Sequence, residues 1–219
     1  MPQIFSPAAD TWLRLIVAGL AVALLLVVAL VGGFMGSAWR TNTGFTPAQP
    51  VPFSHAHHVG ELGLDCRICH GGVELSRHAG FPATQTCMTC HSQLFTDAAM
   101  LAPVRQSLAN GTPLRWARVA KLPDFVYFDH AVHVAQGVGC STCHGAVQKM
   151  PLTFMAKPLT MGFCLGCHRD PAPNLRANEA EVFDMEWTPP PDQRALGTAR
   201  MVERGIAGRD LTHCNTCHR

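Results

Sequence analysis

The chain has 219 residues, with 17 Lys and Arg against 15 Asp and Glu and a formal net charge of +2. So near-neutral a balance gives no electrostatic footing for nucleic acid, and the length allows one domain or two. With 16 prolines, 19 glycines and only 7% aromatic residues, the polar part of the chain has little material for a large aliphatic core.

Met1 to Arg14 read as a short N-terminal segment and residues 15–39 as a transmembrane helix. No charged residue falls between Leu15 and Trp39, and roughly 20 apolar residues suffice to cross a bilayer. Trp12 and Trp39 flank the stretch. On one straight helix they would lie roughly 40 Å apart, near the bilayer thickness with headgroups, where tryptophan is enriched. A cleaved signal peptide has an apolar region of only about 7–15 residues. The segment is therefore read as an uncleaved anchor, although Gly36-Ser37-Ala38 would pass as a cleavage site. Residues 40–52 follow as a linker ending in the proline-rich Thr46-Pro47-Ala48-Gln49-Pro50-Val51-Pro52.

The remainder, 53–219, is organised by repeats. Phe53-Ser54-His55-Ala56-His57-His58 and Phe128-Asp129-His130-Ala131-Val132-His133 share the pattern Phe-x-His-x-x-His. After each come two copies of Cys-x-x-Cys-His, which gives two tandem modules, about 53–110 and 125–172. The copies are Cys66/Cys69/His70, Cys87/Cys90/His91, Cys140/Cys143/His144 and Cys164/Cys167/His168, and Cys214/Cys217/His218 closes the chain. All ten cysteines are absorbed.

Cys-x-x-Cys-His is the attachment signature of c-type haem. On a helical turn, residues three and four apart share a face, so both sulfurs meet the haem vinyls while the imidazole reaches the iron. That histidine is the proximal ligand. A zinc site closes with four ligands and has no need of a histidine after every second cysteine. Five copies predict five covalently attached c-type haems, with the porphyrins supplying most of the core and the haem-free chain unable to hold its fold.

The recurrent Phe-x-His-x-x-His supplies distal ligands. Two histidines at i and i+3 share a helix face but cannot sit on the same side of one iron. His55 and His58 are therefore assigned to the two haems of the first module, and His130 and His133 to those of the second, with the pairing left open. The fifth distal ligand is also open among His57, His78, His213, Met100 and Met161. Short helices are expected over Ala98–Ala109, interrupted early by Pro103, and over Gln193–Glu203, ended by Gly205. Trp187-Thr188-Pro189-Pro190-Pro191 reads as a stiff connector. The fold class is mostly α and irregular: one N-terminal transmembrane helix and a multihaem cytochrome c domain with little β-structure.

Beyond the haem motifs, several stretches resemble the pentahaem cytochrome subunit of alternative complex III, a cytochrome c3/c7-like multihaem protein. They are Phe53 to Cys66, Thr86 to Gln93, Leu101 to Arg105, Leu122 to Phe128, Gly137 to Cys140 and Leu159 to Cys164. The resemblance implies a relay from menaquinol oxidation in a respiratory or photosynthetic chain. It implies quinol-oxidising integral membrane subunits, an iron–sulfur subunit, and a monohaem cytochrome or other external acceptor as partners. The chain would then be an electron-transfer subunit and not itself a catalyst.

Haem attachment of this type takes place outside the bacterial inner membrane, so residues after Arg40 are expected on the periplasmic side and Met1 to Arg14 inside. An alternative is a stand-alone membrane-anchored quinol dehydrogenase cytochrome feeding a periplasmic reductase. A catalytic multihaem reductase needs an open iron position, which such enzymes provide at a Cys-x-x-Cys-Lys haem. All five motifs here end in histidine.

Overall fold

The computed structural model describes Ile4 and residues 6–218. Met1 to Gln3 and Phe5, in the expected N-terminal segment, and Arg219, at the end of the fifth haem segment, lie outside the described residues. The chain divides into two compact units at Asn42/Thr43.

In the first unit, helix α1 runs Pro7–Gly36, and its Ala8–Gly36 portion is long and apolar enough to cross a membrane. The helix starts well before Leu15. Proline is favoured at the opening position because its missing amide would be unpaired anyway, and Arg14 pairs with Asp10 one turn back at 2.9 Å. It also stops before Trp39. Gly32, Gly33 and Gly36 weaken its last turns, and Ser37 leaves the helix with extended backbone while its hydroxyl donates to the Phe34 carbonyl at 2.7 Å. Trp39 therefore sits on the separate turn α2, Ala38–Thr41, and the two tryptophans do not share one continuous helix.

The second unit contains α3 (Cys66–Cys69), α4 (Thr84–His91), α5 (Ala102–Asn110), α6 (His130–Ala135), α7 (Cys140–His144), α8 (Met161–Arg169), α9 (Glu179–Phe183), α10 (Gln193–Glu203) and α11 (Cys214–Cys217). A π-helical turn spans Ala56–Glu61. Among the described residues extended pairing is confined to three isolated bridges, Thr43 with Met155, Val126 with His218 and Val138 with Leu175. The fold is mostly helix and loop without a sheet.

Residues 43–52, expected as linker, pack into this unit. Gly44 N–H donates to the Met155 carbonyl, the Gln49 amide exchanges two 2.9 Å hydrogen bonds with the Ala117 backbone, and Val51 is buried. Pro103 does not interrupt its helix but lies in the first turn of α5, where a missing amide is tolerated. A separate 3-10 turn, Ala99–Leu101, precedes it. Helix α10 forms over the residues expected.

Buried apolar side chains are few: Val51, Val73, Val104, Met150, Met155, Ala172, Leu175, Val182, Phe183 and Ile206. So thin a core cannot offset the conformational entropy of a unit this size by itself. Polar fixings supplement it. The Gln193 amide donates to the Ala172 and Leu175 carbonyls at 3.2 and 2.8 Å. The buried Arg176 guanidinium lies 3.6 Å over the Trp187 ring and donates to Ser141 Oγ at 2.9 Å, tying α7 to the segment after α9. Trp187 also donates to Glu181 at 3.0 Å, so the proline connector leaves from a fixed indole.

Gly197 lets α10 lie directly on the Ala172–Asn174 turn, since a Cβ there would collide with the Ala172 carbonyl. Alanine normally stabilises a helix interior by about 1 kcal/mol over glycine, whereas overpacking costs about 1–3 kcal/mol. Gly197→Ala is therefore expected to lower the melting temperature of the haem-loaded protein. An unchanged or higher melting temperature would show that the close approach is not needed.

Candidate functional site

Each Cys-x-x-Cys-His lies on a short helix or helical turn, and three of the five are capped by a local side chain. Asp65 accepts from Arg67 N–H at 2.8 Å to cap α3, Thr160 accepts from Phe163 N–H at 3.4 Å to cap α8, and His213 Nδ1 accepts from Asn215 N–H at 3.3 Å to cap α11. Within the turns, the His70 and His218 amides bond back to the Cys66 and Cys214 carbonyls at 2.9 Å. None of the ten cysteines is paired in a disulfide. Burial raises the pKa of Cys69, Cys87, Cys164 and Cys167, and pushes Cys143 up to about 11.

The histidine rings share one hydrogen-bonding habit. Nδ1 of His70 bonds the Gly80 carbonyl at 2.8 Å, of His91 that of Leu94 at 3.2 Å, of His168 that of Leu211 at 2.8 Å and of His218 that of Phe125 at 3.2 Å. The same holds for His58 to Ser54 at 2.9 Å, His130 to Arg77 at 2.9 Å and His133 to Asp129 at 2.7 Å, while His55 Nδ1 meets the Thr153 hydroxyl at 2.8 Å. A carbonyl only accepts, so Nδ1 carries the proton and Nε2 keeps its lone pair for a metal. Burial, reinforced by neighbouring histidines, also lowers the pKa of His55 and His144 to about 4. Burial lowers that of His133 as well. These imidazoles are neutral at physiological pH, as ligation requires.

Pairs of rings then face one another. His55 and His70 are 6.5 Å apart between ring centres at an interplanar angle of 7°, and His130 and His144 are 6.3 Å apart, also at 7°. His58 and His91 stand 6.2 Å apart at 66°, and His133 and His168 6.1 Å apart at 35°. The ligating nitrogen lies about 1.1 Å from the ring centre, so two imidazoles on one metal, at bonds of about 2 Å, stand roughly 6.2 Å apart. All four pairs have this spacing. Among the described residues no group of three or more His, Cys, Asp or Glu converges as a bare-metal site. Paired imidazoles suit a metal whose other ligands come with a macrocycle.

One phenylalanine orients each distal pair. Phe53 stacks on His58 at 4.4 Å and meets His55 edge-on at 4.9 Å, and Phe128 does the same to His133 at 4.4 Å and His130 at 4.7 Å. In the sequence these phenylalanines only marked the repeat. The carbonyls of Gly80, Leu94, Arg77 and Leu211 gave no signal there, because a main-chain acceptor has no residue type.

The remaining candidates face none of the Cys-x-x-Cys-His histidines, although the His57 ring meets that of His58 edge-on at 5.3 Å. His57 turns away to Glu61 at 2.7 Å. The Nδ1 of His213 accepts the Asn215 N–H, so the ring hydrogen sits on Nε2 and occupies the position a metal would need. His78 is exposed, and Met100 and Met161 are 62% and 66% exposed. The ring lying against His218 is that of Phe125, at 5.7 Å.

Residues 126–219, which hold three of the five motifs, match the family described as cytochrome c7 and related cytochrome c. This part of the chain is similar to cytochrome c7-like multihaem domains. The chain is also 36% identical over 120 residues to the multiheme cytochrome c subunit of menaquinone reductase from Nitratidesulfovibrio vulgaris strain Hildenborough. The match covers 54% of this chain and 55% of that protein, so the chain spans about half the length of the relative. Cytochromes of this type hold haem covalently at Cys-x-x-Cys-His, the motif that residues 126–219 carry three times.

The contrast between His57 and His58 gives a direct test. His58→Ala should convert one haem from six-coordinate low spin to high spin with attachment intact, and His57→Ala should leave every haem low spin. Optical and electron paramagnetic resonance spectra of the two variants check this. A spin change with His57→Ala alone would refute the pairing of His58 with His91.

Proposed function

We propose that this chain is a membrane-anchored pentahaem relay in a quinone-linked complex, carrying electrons between the quinone-reactive subunits and an acceptor or donor outside the membrane. The observation that carries the reading is the set of four facing histidine pairs. Each joins a Cys-x-x-Cys-His histidine to a histidine of Phe-x-His-x-x-His, at the spacing of two ligands on one iron. In this reading His70, His91, His144, His168 and His218 are proximal, and His55, His130, His58 and His133 are distal to the first, third, second and fourth haems respectively. The ten cysteines hold the haems by thioether bonds.

Bound haem supplies a one-electron couple at each iron. The protein's part is positional. Main-chain carbonyls fix the tautomers of most of these imidazoles, the phenylalanines orient the distal rings, and burial keeps His55, His133 and His144 neutral. Helix α1 serves as a single-pass anchor in the bacterial inner membrane, with the haem unit on the periplasmic side.

The resemblance to alternative complex III supports menaquinol as the electron source, with an integral membrane quinol-oxidising subunit, an iron–sulfur subunit and a monohaem cytochrome or other acceptor as partners. The name of the Nitratidesulfovibrio relative favours a second reading, in which electrons run the other way, toward menaquinone. Mild solubilisation followed by assays of menaquinol oxidation and menaquinone reduction separates the two directions. A chain isolated alone and stable would count against both.

Haem staining and pyridine haemochrome analysis should give five haems per chain, and a ratio near four would leave one motif vacant. Redox titration with low-temperature resonance spectra should resolve four bis-histidine haems and one unlike them at His218. Five matched bis-histidine signals would refute the distinct fifth ligation.

A further inference from the structure

We infer that the five attachment sites form one line in the order His91, His70, His144, His168, His218, which is not the order of the chain, and that electrons are exchanged with partners at the His91 and His218 ends. The inference deepens the relay reading above and rests on it.

Within each module the adjacency is set by three residues of spacing. His55 and His58 leave the same turn, both against Phe53, and face His70 and His91, so those two sites are neighbours. Phe128, His130 and His133 make the His144 and His168 sites neighbours in the same way.

The modules meet through their first sites. Cys66 and Cys140 both pack on the one cluster of Val73, Val182 and Phe183. The start of α6 is joined to the chain after His70 by backbone bonds from Ala131 to Ser76 at 3.2 Å and from His130 to Arg77 at 3.4 Å. Cys66 and Cys140 hold the same place in their modules, as do His70 and His144. Contact between equivalent positions is the mark of a two-fold arrangement. It brings the two first sites to the centre and sends the second sites, His91 and His168, outward.

The fifth segment extends one arm only. The Leu211 carbonyl, just before α11, receives Nδ1–H of His168. Exposure supports the same line independently. The two exposed cysteines are Cys90 and Cys214, one from each end site, and the other eight are partly buried.

Density for the haem-loaded wild-type chain, by electron cryomicroscopy or crystallography, tests the order without any variant. The nearest irons to the His144 iron should be those at His70 and His168. A His91 iron closer than the His70 iron would overturn the proposal. In solution, Cys214→Ser with Cys217→Ser should remove one terminal haem and shift the resonance signals and potential of the His168 haem alone. A shift at the His70 or His144 haem in place of it would equally overturn the order. The haem count and the co-purifying subunits decide the relay reading, so the two proposals fail separately.

Discussion

An imidazole tied through Nδ1–H to a main-chain carbonyl has only Nε2 left to offer, and the haem unit depends on that constraint. It fixes the tautomer, restricts rotation of the ring and aims a lone pair in one direction. His58 and His133 take the carbonyl four residues back, on their own turn, whereas His70, His130, His168 and His218 take carbonyls from other segments. The long-range bonds thereby connect folding of the loops to aiming of the ligands. A loop out of place misdirects a ring, and a ring without its metal loses the reason for its loop to stay.

That reciprocity explains the sparse apolar core. The helices around the motifs are mostly short turns, below the length at which helices persist by themselves, and the buried aliphatic side chains are few. On the proposed relay, cofactor surface between the paired rings stabilises the unit, with polar fixings such as Arg176 on Trp187 at the seams. The prolines and glycines that would weaken an ordinary helical domain are tolerable here. They serve segments that wrap a ligand and need not propagate helix.

What could be read from the sequence divides along physical lines. Spacing carried the cysteines, the proximal histidines and the Phe-x-His-x-x-His repeat, since these are side-chain requirements at fixed intervals. It also carried α10, where Gly205 adopts a positive φ of 64° just past the helix end. The bounds of α1 were misjudged because hydropathy marks apolar residues, whereas the helix is set by Pro7, the Asp10–Arg14 pair and the break at Ser37. Pro103 was misread because a proline in a first turn and one in a helix interior look alike until the start is known. The pairing of His55 with His70 and of His58 with His91 was not readable, because both distal histidines lie on one turn and only tertiary folding selects which iron each meets.

The two-fold relation between the modules also bears on direction. Two equivalent modules joined through equivalent sites would make a symmetric wire, with like haems at both ends and no built-in sense. The segment carrying Cys214, Cys217 and His218 breaks that symmetry by adding a site beyond His168 and none beyond His91. Its ring lies against Phe125 rather than a second imidazole, so the added site differs in chemistry as well as position. Axial ligation is one of the protein's main levers on haem potential, and it distinguishes this end from the other. The asymmetry that gives the chain its sense of flow is therefore concentrated in its last segment.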